Sequence, residues 1–238
     1  MLWYKTWLET RARFLISLLG IVALCSLMVY NGNKYTWPYT TADYYYAVLH
    51  SGHALLCLMW VLAVTLLLMG GLVREKAAGT APFTLALPVS RGRLMAVRVS
   101  MGLLQAMALG IVPWCAMLLI GSLTGKAHSI PQAVFHLALL AGGGMVFFGT
   151  ALLISSLVEG EYTAPVVSLG LVLATAVVLS DGGLRSYSPW EFIVGSQYLD
   201  RSSKLLIGPF PWMRIAISIL LGALFAALSM KLVQRRDF

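Results

Sequence analysis

Four histidines, three cysteines and nine carboxylates are the side chains of this 238-residue chain that could carry chemistry. His50 and His53 are three apart and so share one face of a helix near its start. With His128 or His136 they would offer nitrogens to a metal ion. A metal site needs three or four converging ligands held by supporting partners, and the alternative is a set of polar residues at a helix start. Serines, histidines and aspartates occur, but no GxSxG elbow and no HExxH pair is present, so neither a hydrolase nucleophile nor a zinc-protease helix is indicated. Cys25, Cys57 and Cys115 all fall inside apolar runs without CxxC spacing and read as small buried hydrophobes. Glu159 and Glu161 sit in the short turn VEGEY, either as interfacial caps or as a contact for a cytoplasmic partner.

The elements that would position these groups are membrane spans. The chain is 59% hydrophobic and 11% charged, with a mean hydropathy of +0.83, whereas a soluble domain carries about 25% charged residues. Apolar runs predict six transmembrane helices over residues 15–30, 50–73, 97–124, 132–158, 163–180 and 212–230 of a single all-α, polytopic domain. Apart from residues at their edges, these runs hold no Asp, Glu, Lys or Arg. That counts against a proton-driven carrier and less strongly against sodium coupling, which can use backbone carbonyls. The net charge of +8 has no zinc spacing or stacking module beside it and is assigned to anionic lipid and the cytoplasmic face, not to nucleic acid. With the N-terminus inside, eleven Lys and Arg fall on the cytoplasmic side and six outside, which predicts that both termini are cytoplasmic.

Residues 1–13 place Trp3 and Trp7 near Phe14 among Lys5, Glu9, Arg11 and Arg13, the composition of an interfacial helix ahead of the first span. An ordinary cytoplasmic start of that span is the alternative. The external connection 31–49 is rich in Tyr and Trp. Residues 181–211 are too apolar for a free linker and predict a segment that dips back as short interfacial helices, bounded by Pro189 and by Pro209 and Pro211. Gly102, Ala106 and Gly110, the triplet 142–144, and Gly222, Ala226 and Met230 form small-residue stripes suited to close helix packing. Pro113 and Pro165 predict kinks in the third and fifth spans.

The stretch REKAAGTAPFTLALPVSRGRL, residues 74–94, stands apart from the spans. Gly79, Thr80 and Pro82 make a bend, residues 82–87 suit a short helix exposing Phe83, Leu85 and Leu87, Pro88 ends it, and Ser90 caps the start of the third span. Glu75, Gly79-Thr80, the apolar 83–87 helix and Leu87-Pro88-Val89-Ser90-Arg91, with the ending KLVQRRDF, resemble the permease subunits of type-2 ABC exporters. The resemblance covers essentially the whole chain, and its small form is similar to bacterial efflux and antibiotic-resistance permeases. It implies that the 74–94 loop (Glu75, Gly79, Thr80, Phe83, Leu85, Leu87, Pro88, Ser90, Arg91) couples to a separate P-loop ATPase. Trp3, Trp7, Glu159 and Glu161 would be secondary cytoplasmic contacts, and 181–211, with Pro189, Trp190, Pro209 and Pro211, an external gate. It further implies a second permease copy or paralogue, ATP and Mg on the partner ATPase only, and residence in the bacterial cytoplasmic membrane. No Walker A loop occurs in the chain itself. An apolar, aromatic lining predicts an amphiphilic or lipid-like cargo. The rival reading is a non-transporting membrane anchor that recruits a cytoplasmic protein, and a membrane-embedded enzyme lacks a polar constellation.

Overall fold

A computed structural model of the chain describes residues 2–34, 48, 50–68, 90–124, 129–158, 163–179, 182–200, 203 and 205–235. The described residues form eight α-helices: α1 (Leu2–Lys34), α2 (Ser51–Leu67), α3 (Arg91–Leu123), α4 (Ile130–Ala138), α5 (Met145–Leu157), α6 (Thr163–Val178), α7 (Pro189–Val194) and α8 (Trp212–Arg235). A π-helical turn, Leu139–Gly143, joins α4 to α5. Four stretches are long and apolar enough to cross a membrane: α1, α3, α4 through α5, and α8. Helices α2 and α6 are apolar but shorter. The chain is thus a polytopic, largely apolar helical membrane protein. Of the six expected spans, four correspond to stretches of spanning length among the described residues, and the second and fifth to the shorter α2 and α6.

Burial identifies which helices are central. α2 buries Leu56, Cys57, Trp60, Val61 and Val64 and touches α1, α3, α5, α6 and α7. α1 and α8 lie outermost, and their outer faces present Ile16, Leu19, Ile217 and Leu220 to the surroundings. Large aliphatic side chains facing outward in this number are what a hydrocarbon solvent selects and water would not.

Two helix pairs dominate the packing, α1 with α3 and α5 with α8. In the second, an added Cβ on Gly149 would stand 2.6 Å from the Gly222 carbonyl oxygen, and one on Gly222 would collide with the Met145 carbonyl. The backbones meet directly, as small-residue membrane interfaces permit. Ser218, Gly222, Ala226 and Ser229 are the buried small residues of α8. Ser218 Oγ donates to the Gly143 carbonyl at 2.7 Å, and Ser229 Oγ to the Leu152 carbonyl at 3.3 Å. Ser229 thereby takes the place expected for Met230, which instead packs against Met95 and Val233. On α3, Gly102, Ala106 and Gly110 are all buried, with Gly102 against Leu68 and Gly110 against Leu140.

Several local expectations meet their outcome here. Ser90 caps α3, its Oγ accepting from the Arg93 N–H at 3.3 Å. Pro113 lies inside α3, where it removes a helical N–H donor. Pro165, expected to kink the fifth span, falls in the first turn of α6, where a missing N–H costs nothing. The N-terminal segment and the first span form one unbroken helix, α1. Cys25 and Cys57 are buried as expected, whereas Cys115 is exposed on the outer side of α3.

Candidate functional site

Polar side chains inside an apolar bundle are costly unless partnered, so they mark where the fold does more than pack. The described residues place one such node beneath α7. His53 of α2 is fully buried, and its Nε2–H donates to the Ile193 carbonyl of α7 at 2.8 Å. A carbonyl only accepts, so the contact fixes the tautomer: Nε2 carries the proton and Nδ1 keeps its lone pair. Cys57, one turn further along α2, donates its thiol to the same carbonyl at 3.6 Å and lies 3.4 Å from His53 Nε2.

His136 of α4 closes the node from the other side. Its ring centroid is 4.5 Å from that of His53, and Trp114 of α3 lies 5.7 Å from His53 and 5.3 Å from His136. Nδ1–H of His136 donates to the Gln132 carbonyl at 2.8 Å, leaving Nε2 as the lone pair. His53 Nδ1, His136 Nε2 and Trp114 Nε1 are buried without a hydrogen-bond partner among the described residues. Two acceptors and one donor therefore lie in an apolar interior.

The segment above this node is ordered by its own chemistry. Ser188 Oγ accepts from the Glu191 N–H and caps α7, Pro189 starts the helix without losing a bond, and Gly195 ends it at φ 81°, a left-handed turn that favours glycine. Phe192, Ile193 and Val194 are buried. Leu199 pairs with Leu206 in a short antiparallel bridge. Gln132 grips that bridge through its side-chain amide, donating to the Leu206 carbonyl and accepting from the Leu206 N–H, each at 3.0 Å. Through α7 and Leu206 the described residues of this connection thus pack on α2, α4 and the π turn.

The glycine triplet explains how the turn admits so many neighbours. A Cβ on Gly142 would lie 2.6 Å from Ile215 of α8, one on Gly143 2.8 Å from Phe192 of α7, and one on Gly144 2.7 Å from Trp60 of α2. Trp60 in turn donates its Nε1–H to the Ala106 carbonyl at 2.7 Å, tying α2 to α3. A π turn inserts one residue into a helix and is frequent where function needs an irregular backbone. Here it is the meeting point of α2, α7 and α8 with the α4–α5 span.

A second polar contact joins the other helix pair. Gln105 Nε2 of α3 donates to Thr10 Oγ of α1 at 2.7 Å, and that hydroxyl donates to the Thr6 carbonyl at 3.0 Å. Gln105 Oε1 has no hydrogen-bond partner among the described residues. Arg13 Nη1 lies 3.4 Å from the Leu66 carbonyl in the last turn of α2, where a cation complements the helix dipole.

The expected site residues divide sharply. Glu75, Gly79, Thr80, Phe83, Leu85, Leu87, Pro88, Glu159, Glu161 and His128 lie outside the described residues. Ser90 caps α3 and Arg91 opens it. Trp7 packs edge-on against Phe14 at 5.8 Å, while Trp3 remains 45% exposed. Pro189 begins α7, Trp190 packs on the core, and Pro209 and Pro211 precede α8. His53 meets His136, and the described residues hold no group of three or more His, Cys, Asp or Glu that could hold a metal. The sequence reading missed Trp114, Gln132 and the Ile193 carbonyl; the only signal was that His53, Trp114 and His136 interrupt three separate apolar runs. No family model matches this chain, and no curated protein is significantly similar to it.

Proposed function

We propose that this chain is the membrane-spanning permease subunit of an ATP-driven type-2 ABC exporter in a bacterial cytoplasmic membrane, moving an amphiphilic or lipid-like cargo. In this reading it has six spans and two cytoplasmic termini, and works with a second permease and two P-loop ATPase subunits. The family resemblance rests on Glu75, Gly79-Thr80, residues 83–87, Leu87 through Arg91 and the Arg-Arg-Asp ending. The structural observation that supports it best is the folded segment between the last two spans. Residues 182–211 hold a capped helix, α7, whose Ile193 is locked to His53 of the central helix. A segment built that way suits a gate that moves with α2. The 74–94 loop, which comes directly after α2 in the chain, would then transmit closure of the ATPase subunits to the same helix.

The test uses the tagged full-length chain, extracted in mild detergent and analysed by mass spectrometry for co-purifying proteins. A stoichiometric P-loop ATPase that is lost on Phe83→Asp with Leu85→Asp supports the reading. Glu75→Gln and Gly79→Leu are expected to insert normally and retain ATPase turnover while losing export. Reproducible absence of any ATPase from folded protein, or normal export by both variants, overturns it and leaves the membrane-anchor reading.

A further inference from the structure

We propose that the groove between α7, the π turn and α8 binds one anionic phospholipid, with the phosphate at Arg214 and an acyl chain along α8. The inference needs a membrane but does not rest on the exporter reading. The groove has a volume of about 200 Å³. Pockets that enclose a whole drug-sized molecule run to about 300–1,000 Å³, so this one takes part of an extended molecule.

Along α8 its lining runs from the Arg214 guanidinium to Ile217 and Leu221. Val146 and Phe192 add apolar surface, and the serines of the lining and Tyr187 add hydroxyls. From Arg214 to Leu221 the α8 axis advances about 10 Å, at roughly 1.5 Å per residue. Ile217 and Leu221 are partly exposed on the outer face of the bundle, so the groove opens there towards lipid tails. Trp212 and Met213, both largely exposed, sit at the start of α8 beside Arg214, as side chains at a membrane–water boundary do.

Charge decides which lipid. Among the described residues Arg214 has no ion pair, and no carboxylate lines the groove. The nearby acid of α7, Glu191, is held by Arg185 at 3.2 Å. Arg214 donates through Nη1 to the Gln197 side-chain Oε1 and, at 3.4 Å, to the Tyr198 hydroxyl. A guanidinium has five N–H donors, and the remaining ones match the two free oxygens of a phosphodiester. A zwitterionic lipid would bring an ammonium into the same positive field, so an anionic headgroup is favoured.

The experiment is native mass spectrometry of the full chain, released from detergent supplied with equal phosphatidylglycerol and phosphatidylcholine. One phosphatidylglycerol per chain is expected to be retained in preference. Arg214→Gln should lower that retention about tenfold, the size of one lost charge-assisted hydrogen bond. Because Arg214 also supports Gln197 and Tyr198, Ile217→Trp gives an independent reading: it fills the groove from a half-exposed position and should abolish retention without lowering the melting temperature. Equal retention of the two lipids by the unmodified chain overturns the proposal. So does unchanged retention in Ile217→Trp, or displacement of the lipid by glycerol phosphate that lacks acyl chains.

Discussion

His53 and Gln105 are both buried polar residues, yet their hydrogen bonds predict responses of different size to substitution. His53 satisfies a carbonyl of another element, Ile193, so His53→Phe removes the stronger of the two donors to that oxygen and leaves the weaker Cys57 thiol. The expected loss is about 1–3 kcal/mol, read as a lowered unfolding midpoint in detergent. Gln105 donates to Thr10 but its own Oε1 has no partner among the described residues, and Thr10 keeps its bond to the Thr6 carbonyl in any case. Gln105→Leu removes that oxygen together with one interhelical bond, and such bonds average about 0.6 kcal/mol in membrane proteins. Its net effect is expected to stay below about 1 kcal/mol, and a loss as large as that of His53→Phe would show that Gln105 has another role. Trp60→Phe, which deletes the 2.7 Å bond to the Ala106 carbonyl, should fall between the two, at about 1 kcal/mol.

Among the elements, α5 and α8 are the pair most exposed to test, because their backbones touch. Gly149→Leu or Gly222→Leu must push the helices apart, and overpacking of this kind costs typically about 1–3 kcal/mol, more where backbone rather than side chain stands in the way. Ala223→Leu, one residue along α8, is the control, and comparison of their melting curves checks the claim. Deleting Gly142 is the sharper experiment. It would turn the π turn into ordinary α-helix and rotate α5 by about 100° against α4, since a helix turns once every 3.6 residues. Removing an irregularity is therefore expected to destabilise the protein. Sequence patterns made much of this level legible: the apolar runs located α1, α2, α3, the stretch of α4 and α5, α6 and α8, the Gly102 and Gly222 stripes located two packing faces, and Ser90 and Pro189 announced helix starts. The π turn was not legible, because an inserted residue leaves no periodicity beyond three adjacent glycines. Nor was the bond between His53 and Ile193, whose acceptor is a backbone carbonyl that any side chain could carry.

For the whole molecule, the arrangement is a central α2 flanked by two tight helix pairs, with residues 182–211 resting on one end. If, as proposed, α7 moves together with α2, a disulfide engineered between the two helices is expected to leave export unchanged; loss of export would show that α7 must move relative to α2 and would overturn that part of the proposal. The order in which the chain is made adds one consequence. Thr10 and Gln105 are 95 residues apart, which at a synthesis rate of roughly 5–20 residues per second separates their emergence by about 5–20 s. During that wait the Thr10 hydroxyl is already satisfied within its own helix by the Thr6 carbonyl. The first helix can thus rest in the bilayer without a partner, and only the later one arrives with an amide in need of a mate. A newborn chain so arranged has its unmet polar demand on the helix that comes second, when the helix able to meet it is already in place.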